Sequence, residues 1–218
     1  MTAIDTEQRT ATPVDSLPRT SAVVLSGSLG GMQAMLDVLD GLPPHFPAAV
    51  LVNLHRAART GPDRLPQVLA YRSTMPIRTL GMTEALEPGC VHVLPPGNAL
   101  CTLDNGFLAP RPPEGWRTAD PTMATLAQRY GSGAIAVVLS GSLNDGAVGA
   151  RAVKRAGGRV IVQDPADAMA HGMPAAVLAT GSVDLVVPLR RVAQALVALT
   201  MAPGGADLLR TPRAHWAS

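Results

Sequence analysis

Ser28, His55 and Asp145 are the three residue types of an acyl-transfer triad, and each stands at or just beyond the end of an apolar run. A serine hydroxyl is a poor nucleophile until an imidazole takes its proton. A carboxylate then fixes the imidazole's tautomer and stabilises the imidazolium. Ser28 closes Val23-Val24-Leu25-Ser26-Gly27-Ser28, His55 follows Ala48 to Leu54, and Asp145 follows Ala134 to Leu139 and a short polar turn. In open parallel sheets, functional groups gather beyond the carboxyl ends of the strands, so three such residues on three strand ends would share one edge.

The surroundings of Ser28 suit a developing oxyanion. A helix entrance leaves backbone N–H groups unpaired, and the absence of side chains at Gly30 and Gly31 lets a carbonyl approach the N–H groups that follow Ser28. The heptapeptide Val-Val-Leu-Ser-Gly-Ser-Leu, residues 23–29, occurs again at 137–143, which makes Ser142 the counterpart of Ser28. Asn144-Asp145 follows the second copy, however, and a carboxylate there would repel an oxyanion. Each residue also has a purely structural reading. Both turns could be tight strand-to-helix connections, His55 a hydrogen-bonded strand end, and Asp145 a helix N-cap.

Other chemistries find less support. Gly30 and Gly31 are adjacent, so the turn is not G-x-G-x-x-G, and no Lys follows as in a Walker A loop. No H-E-x-x-H or comparable spacing marks a metal site, and no cofactor is expected. Aromatic residues are 3% of the 218 and net charge is +2, which leaves little to stack on bases or bind a polyanion, so no nucleic acid partner is expected. Cys90 and Cys101 lack C-x-x-C spacing and suit a reducing compartment. With no signal-peptide core and no apolar run of roughly 20 residues, a cytoplasmic protein without membrane insertion is expected.

The elements that must position these groups follow from periodicity. Residues 1–20 read as a disordered tail, 21–202 as one catalytic domain and 203–218 as a C-terminal tail. Strands are expected at Ser21 to Leu25, Ala48 to Leu54, Met75 to Leu80, Ala134 to Leu139, Arg159 to Gln163 and Val183 to Pro188. Helices are expected at Met32 to Leu42, Asp63 to Tyr71, Pro121 to Tyr130 with Asp120 as N-cap, Ala147 to Ala156, after Met173-Pro174 through Ala179, and Val192 to Met201. Glu84 to Pro110 reads as an antiparallel excursion around the Asn105-Gly106 turn, with His92 inside an alternating strand. The fold class is α/β: a doubly wound, mostly parallel sheet with helices on both faces and a small antiparallel hairpin.

Taken in order, Ser26-Gly27-Ser28-Leu29-Gly30-Gly31, Asn53-Leu54-His55, Leu139-Ser140-Gly141-Ser142-Leu143-Asn144-Asp145-Gly146, Gln163-Asp164-Pro165 and Gly172-Met173-Pro174 resemble the catalytic domain of CheB, the chemotaxis protein-glutamate methylesterase. Val91 to Asn98 is similar to that family's hairpin region, and the likeness spans about residues 21–190. The resemblance implies Ser28 as nucleophile, His55 as base and Asp145 as orienting acid. It also implies Leu29, Gly30, Ser142 and Met173 around the oxyanion and substrate. The implied partner is the cytoplasmic helices of methyl-accepting chemoreceptors, whose glutamate methyl esters are hydrolysed and whose glutamines can be deamidated. Leu29 replaces the family's usual Thr, Ser142-Leu143 its Met-Gly, and Trp116 to Pro121 matches its Arg-Pro-Ser segment loosely. These departures motivate an alternative, a weak or inactive CheB-like module that binds proteins. A receiver domain and its phosphorylation switch are not expected in this chain.

Overall fold

A computed structural model describes residues 21–57 and 61–201; the expected tails lie outside the described residues. Seven parallel strands form one sheet in the order β3-β4-β2-β1-β7-β8-β9. The strands are β1 Ala22–Gly27, β2 Ala49–Leu54, β3 Ile77–Thr79, β4 Val91–Val93, β7 Ala134–Val138, β8 Arg159–Gln163 and β9 Leu185–Val187. A second sheet pairs β5, Ala99–Thr102, with β6, Leu108–Arg111, in antiparallel register. The helices are α1 Gly31–Asp40, α2 Leu65–Ala70, α3 Ala119–Tyr130, α4 Ala147–Arg155, α5 Gly172–Leu178 and α6 Leu189–Met201. The expected α/β class is the observed one.

Strands β1, β2, β7 and β8 are buried at every residue, as continuous apolar runs covered on both faces must be. Alternation divides them between two cores. Val23 and Leu25 of β1 join Met35, Val38 and Leu39 of α1 and Val192 and Leu196 of α6. Ala22 and Val24 face the other way, onto Met123 and Leu126 of α3, Val153 of α4 and Val177 of α5. On this second face the strands carry Ala22, Ala49, Ala134 and Ala136. At Gly149, an added Cβ would fall 2.7 Å from the Met123 Cβ and 2.9 Å from the Asp120 carbonyl oxygen. Only glycine lets α4 sit this close to α3.

Two expectations are corrected. Val91–Val93 belongs to the main parallel sheet, between β2 and β3, and the antiparallel pairing begins only at β5. His92 gave this strand its alternating look, yet it is 7% exposed and its Nε2 accepts the Glu87 N–H at 3.0 Å. A satisfied imidazole can occupy a strand buried on both faces. The hairpin itself turns at Asn105-Gly106, with Gly106 at φ 81°. It docks on α3, where Thr122 Oγ1 accepts the Leu100 N–H at 3.0 Å and Thr125 Oγ1 donates to the Leu100 carbonyl at 3.0 Å. The second correction concerns Asp120, which lies inside α3 instead of capping it; the N-cap is Thr118, whose side chain makes no capping bond. No helix among the described residues is long and apolar enough to cross a membrane.

Candidate active site

After β1 the chain crosses to β2 on one side, and it later returns to β7 on the other. The carboxyl ends of β1 and β7 therefore flank a topological switch point, where the connections diverge and leave a crevice. The first copy of the heptapeptide runs along β1, while the second begins in the last two residues of neighbouring β7 and continues into the turn after it. They are staggered: Val23 pairs with Ile135 and Leu25 with Val137, so the second copy begins two residues further along. An even shift keeps every side chain on its proper face. It also places Ser140, not Ser142, beside Ser28, whose N–H donates to the Ser140 carbonyl at 3.0 Å. The equivalence of Ser142 and Ser28 suggested by the repeat does not hold in the sheet.

Ser140 is stitched into the scaffold. Its Oγ donates to the Leu29 carbonyl at 2.7 Å and accepts the Ala170 N–H at 2.9 Å, while its own N–H donates to Gln163 Oε1 at 2.9 Å. These bonds tie the ends of β1, β7 and β8 together beneath Ser28. Ser28 itself is half-buried, and its Oγ lies 3.5 Å from Nδ1 of His55. That separation is at the long end for a hydrogen bond, as catalytic pairs without substrate often are. The His55 backbone is fixed by its N–H donating to the Gly27 carbonyl at 2.8 Å. For Nδ1 to accept the serine proton, the neutral ring must carry its hydrogen on Nε2.

The entrance to α1 leaves two backbone donors open beside Ser28. Among the described residues, neither the Leu29 nor the Gly30 N–H has a protein acceptor. Gly30 adopts φ 76°, and a Cβ there would fall 2.7 Å from both Met169 Cβ and Ser140 Oγ. Backbone conformation and space thus both require glycine. Leu29 is 58% exposed, and neither it nor Gly30 lines the pocket that opens beside Ser28. A pocket of about 160 Å³ opens here, lined by Ser28, His55, Trp116, Ser142, Leu143, Asp145 and Met173. Met173 reaches it because Gly141 has no side chain: a Cβ there would lie 2.2 Å from Met173 Sδ and 3.2 Å from the Ser28 nitrogen. Leu143, exposed at the rim, holds a left-handed φ of 64°.

Asp145 lines this pocket, but its carboxylate is engaged elsewhere. Oδ2 accepts the Thr118 and Ala119 N–H groups, both at 2.9 Å, and Oδ1 accepts the Asp120 N–H at 3.0 Å. Asp120 reciprocates across the helix pair. Its Oδ1 accepts the N–H groups of Gly146, Val148 and Gly149 at 2.9, 2.9 and 2.8 Å, and its Oδ2 takes Arg117 at 3.0 Å. Each acid thus caps the other's helix, where the macrodipole and orphan donors favour negative charge. The expected cap role of Asp145 is corrected: it caps α3, not α4, the helix that follows it and whose N-cap is Gly146. Asp145 makes no hydrogen bond to His55 in this structure.

Three residues at the site carried no functional reading in the sequence: Trp116 and Arg117, noted only within a loosely matching segment, and Asp120, read only as a helix cap. The Trp116 ring meets His55 edge-on, with centroids 6.2 Å apart and planes at 66°. Arg117 stacks 5.2 Å from the Trp116 ring centroid and donates to Asn144 Oδ1 at 3.0 Å. The available signal was compositional: one of only two tryptophans stands next to an arginine in a Pro- and Gly-rich loop. Among the described residues, no group of three or more His, Cys, Asp or Glu side chains is placed to hold a metal ion.

Comparison with known proteins agrees with this architecture. A family model described as CheB methylesterase matches residues 23–196. A protein of Moorella thermoacetica named protein-glutamate methylesterase/protein-glutamine glutaminase is 34% identical over 198 residues, covering 86% of this chain and 46% of its own length. One from Anaeromyxobacter dehalogenans, named protein-glutamate methylesterase/protein-glutamine glutaminase 2, is 36% identical, with 89% of this chain and 57% of its own length covered. This chain thus spans about half the length of these relatives. The crystal structure of the Thermotoga maritima CheB methylesterase catalytic domain superposes with a TM-score of 0.73 at 29% identity, over 83% of this chain and 98% of that one. The chain belongs to the CheB methylesterase family.

Proposed function

We propose that this chain is a serine esterase that removes methyl groups from glutamate methyl esters of a protein, with Ser28 as nucleophile and His55 as base. The observation that carries this reading is the Ser28 Oγ to His55 Nδ1 approach of 3.5 Å, in a pocket beside two acceptorless N–H groups. The relatives' names, protein-glutamate methylesterase/protein-glutamine glutaminase, supply the bond to be cleaved. The pocket's size of about 160 Å³ suits the end of a side chain and a small leaving group.

The geometry supports a two-step reaction. Ser28 Oγ attacks the ester carbonyl carbon while His55 Nδ1 takes the hydroxyl proton. The N–H groups of Leu29 and Gly30 receive the oxyanion, an arrangement in which each donor is worth roughly 3–4 kcal/mol of transition-state stabilisation. His55 returns the proton to the departing methoxide oxygen, which releases methanol and leaves an acyl-enzyme. Water, deprotonated by His55, then attacks the acyl carbon, restoring Ser28 and freeing the glutamate carboxylate. A glutamine side chain would follow the same path with ammonia leaving. Asp145 lies in the same pocket lining as His55, and Met173 and Ser142 bound the space for the substrate's side chain.

The proposed substrate is a chemoreceptor's cytoplasmic helix, on which glutamates are methylated; this places the enzyme in the cytoplasm. Purified protein given methylated receptor fragments releases methanol on this account, and Ser28→Ala lowers the rate by about 10³-fold or more. Equal release by both proteins rules out Ser28 as the nucleophile.

A further inference from the structure

The imidazole of His55 has few restraints for a general base. Among the described residues, its one side-chain hydrogen bond is to Ser28 Oγ at 3.5 Å, and Asp145, the acid that shares its pocket, spends both oxygens on the N–H groups of Thr118, Ala119 and Asp120. The Trp116 ring lies edge-on to the imidazole, at 6.2 Å between centroids. An imidazole that turns about its Cβ–Cγ bond by half a revolution exchanges Nδ1 for a carbon, and only a flanking surface or a hydrogen bond prevents it. We propose that Trp116 is the positioning residue for His55: its ring holds the imidazole with Nδ1 toward Ser28.

Trp116 is itself held from behind. Arg117 stacks on its ring, and the guanidinium is anchored at both ends of the helix clasp, by Asp120 Oδ2 and by Asn144 Oδ1, each at 3.0 Å. The three backbone N–H groups that Asp145 accepts begin only two residues beyond Trp116. Buried carboxylates thus fix the segment from Trp116 to Asp120, and the segment fixes the ring of the base. On this account Asp145 orients His55 at one remove, through the chain it caps. The inference rests on the proposed function only in assigning His55 as base; the orientation itself is a property of the ring.

Trp116 is 45% exposed, so its replacement leaves the core intact. The test uses the whole chain with a small activated ester, and compares wild type, Trp116→Ala and Trp116→Phe. Loss of orientation costs on the order of 10- to 100-fold in kcat with KM within about threefold, since sub-ångström misplacement of reacting groups is felt at that scale. Trp116→Phe, which restores an aromatic wall, recovers most of the rate. In parallel, NMR NOEs from the His55 ring read its orientation directly: the Cδ2 proton stays far from the Ser28 Cβ protons in the wild type and in Trp116→Phe, and approaches them in a share of Trp116→Ala molecules. A rise in KM with unchanged kcat would make Trp116 a substrate contact and overturn the proposal, as would an unchanged ring orientation in Trp116→Ala. If the wild type hydrolyses no ester, the functional reading fails and the NMR comparison still decides this one.

Discussion

Asp120→Ala tests the reciprocal helix clasp on which the site's geometry depends. The variant removes an acceptor, 8% exposed, that serves the N–H groups of Gly146, Val148 and Gly149 and also receives Arg117. Loss of a helix cap costs roughly 0.5–2 kcal/mol. Loss of a partly buried negative charge at a helix N-terminus adds up to about 2 kcal/mol. Leaving the three donors bare, those of Gly146 and Gly149 buried and that of Val148 part-buried, would cost more, about 1–3 kcal/mol for each buried one, but one oxygen serves all three and water can enter the space an alanine leaves. The expected destabilisation is therefore about 3 kcal/mol, or a melting temperature lowered by roughly 6–12 °C for a chain of this size. Asp120→Asn keeps a carbonyl oxygen and is expected to lose about half as much. Urea denaturation of the three proteins measures it. A loss below about 1 kcal/mol in Asp120→Ala would refute the clasp as a structural element. Combined with Asp145→Ala, the two losses should also fail to add, with a coupling of about 1 kcal/mol, because both acids hold the same helix pair.

Two further outcomes are expected. Leu143→Gly relieves a left-handed φ of 64° at a residue whose side chain is 65% exposed. The relief of about 1–2 kcal/mol outweighs glycine's entropic cost of about 0.5–1 kcal/mol, so stability rises by up to about 1 kcal/mol, and denaturation showing a clear loss would contradict the conformation. Burial, opposed by the neighbouring Glu87 carboxylate, holds the His92 ring below the usual imidazole range. The unfolded chain then binds the proton first as pH falls, so stability is full above about pH 6.5 and declines below it. His92→Gln should flatten the stability profile below about pH 6.5; an unchanged slope would mean that another group carries it.

That Ser28, His55 and Asp145 line one pocket was legible because parallel sheets gather polar groups at strand ends, and each of the three follows a run apolar enough to be read as a strand. The stagger of the two heptapeptides was not legible. Identical letters at 23–29 and 137–143 say nothing about register, which the sheet sets two residues apart, and so Ser142 looked like the twin of Ser28 when Ser140 is its neighbour. Val91–Val93 was placed in the hairpin because its three residues are flanked by turns and interrupted by His92; only the backbone N–H of Glu87 makes that histidine tolerable inside a parallel sheet. Asp120 and Asp145 each read as the cap of the helix nearest in sequence. Their exchange of partners depends on two helices meeting closely at Gly149, a long-range fact that local pattern does not carry. Trp116 and Arg117 were hidden for the same reason, as residues of a loop whose path only the fold determines.

The central claim is that Ser28 is a nucleophile made reactive by His55, and covalent labelling tests it most directly. The protein would be treated with a fluorophosphonate and digested, and the adduct located by mass spectrometry. The account predicts a single modified residue, Ser28, with labelling abolished in Ser28→Ala and slowed at least 100-fold in His55→Ala. An adduct on Ser140 or Ser142, or a wild type that labels no faster than His55→Ala, would contradict it.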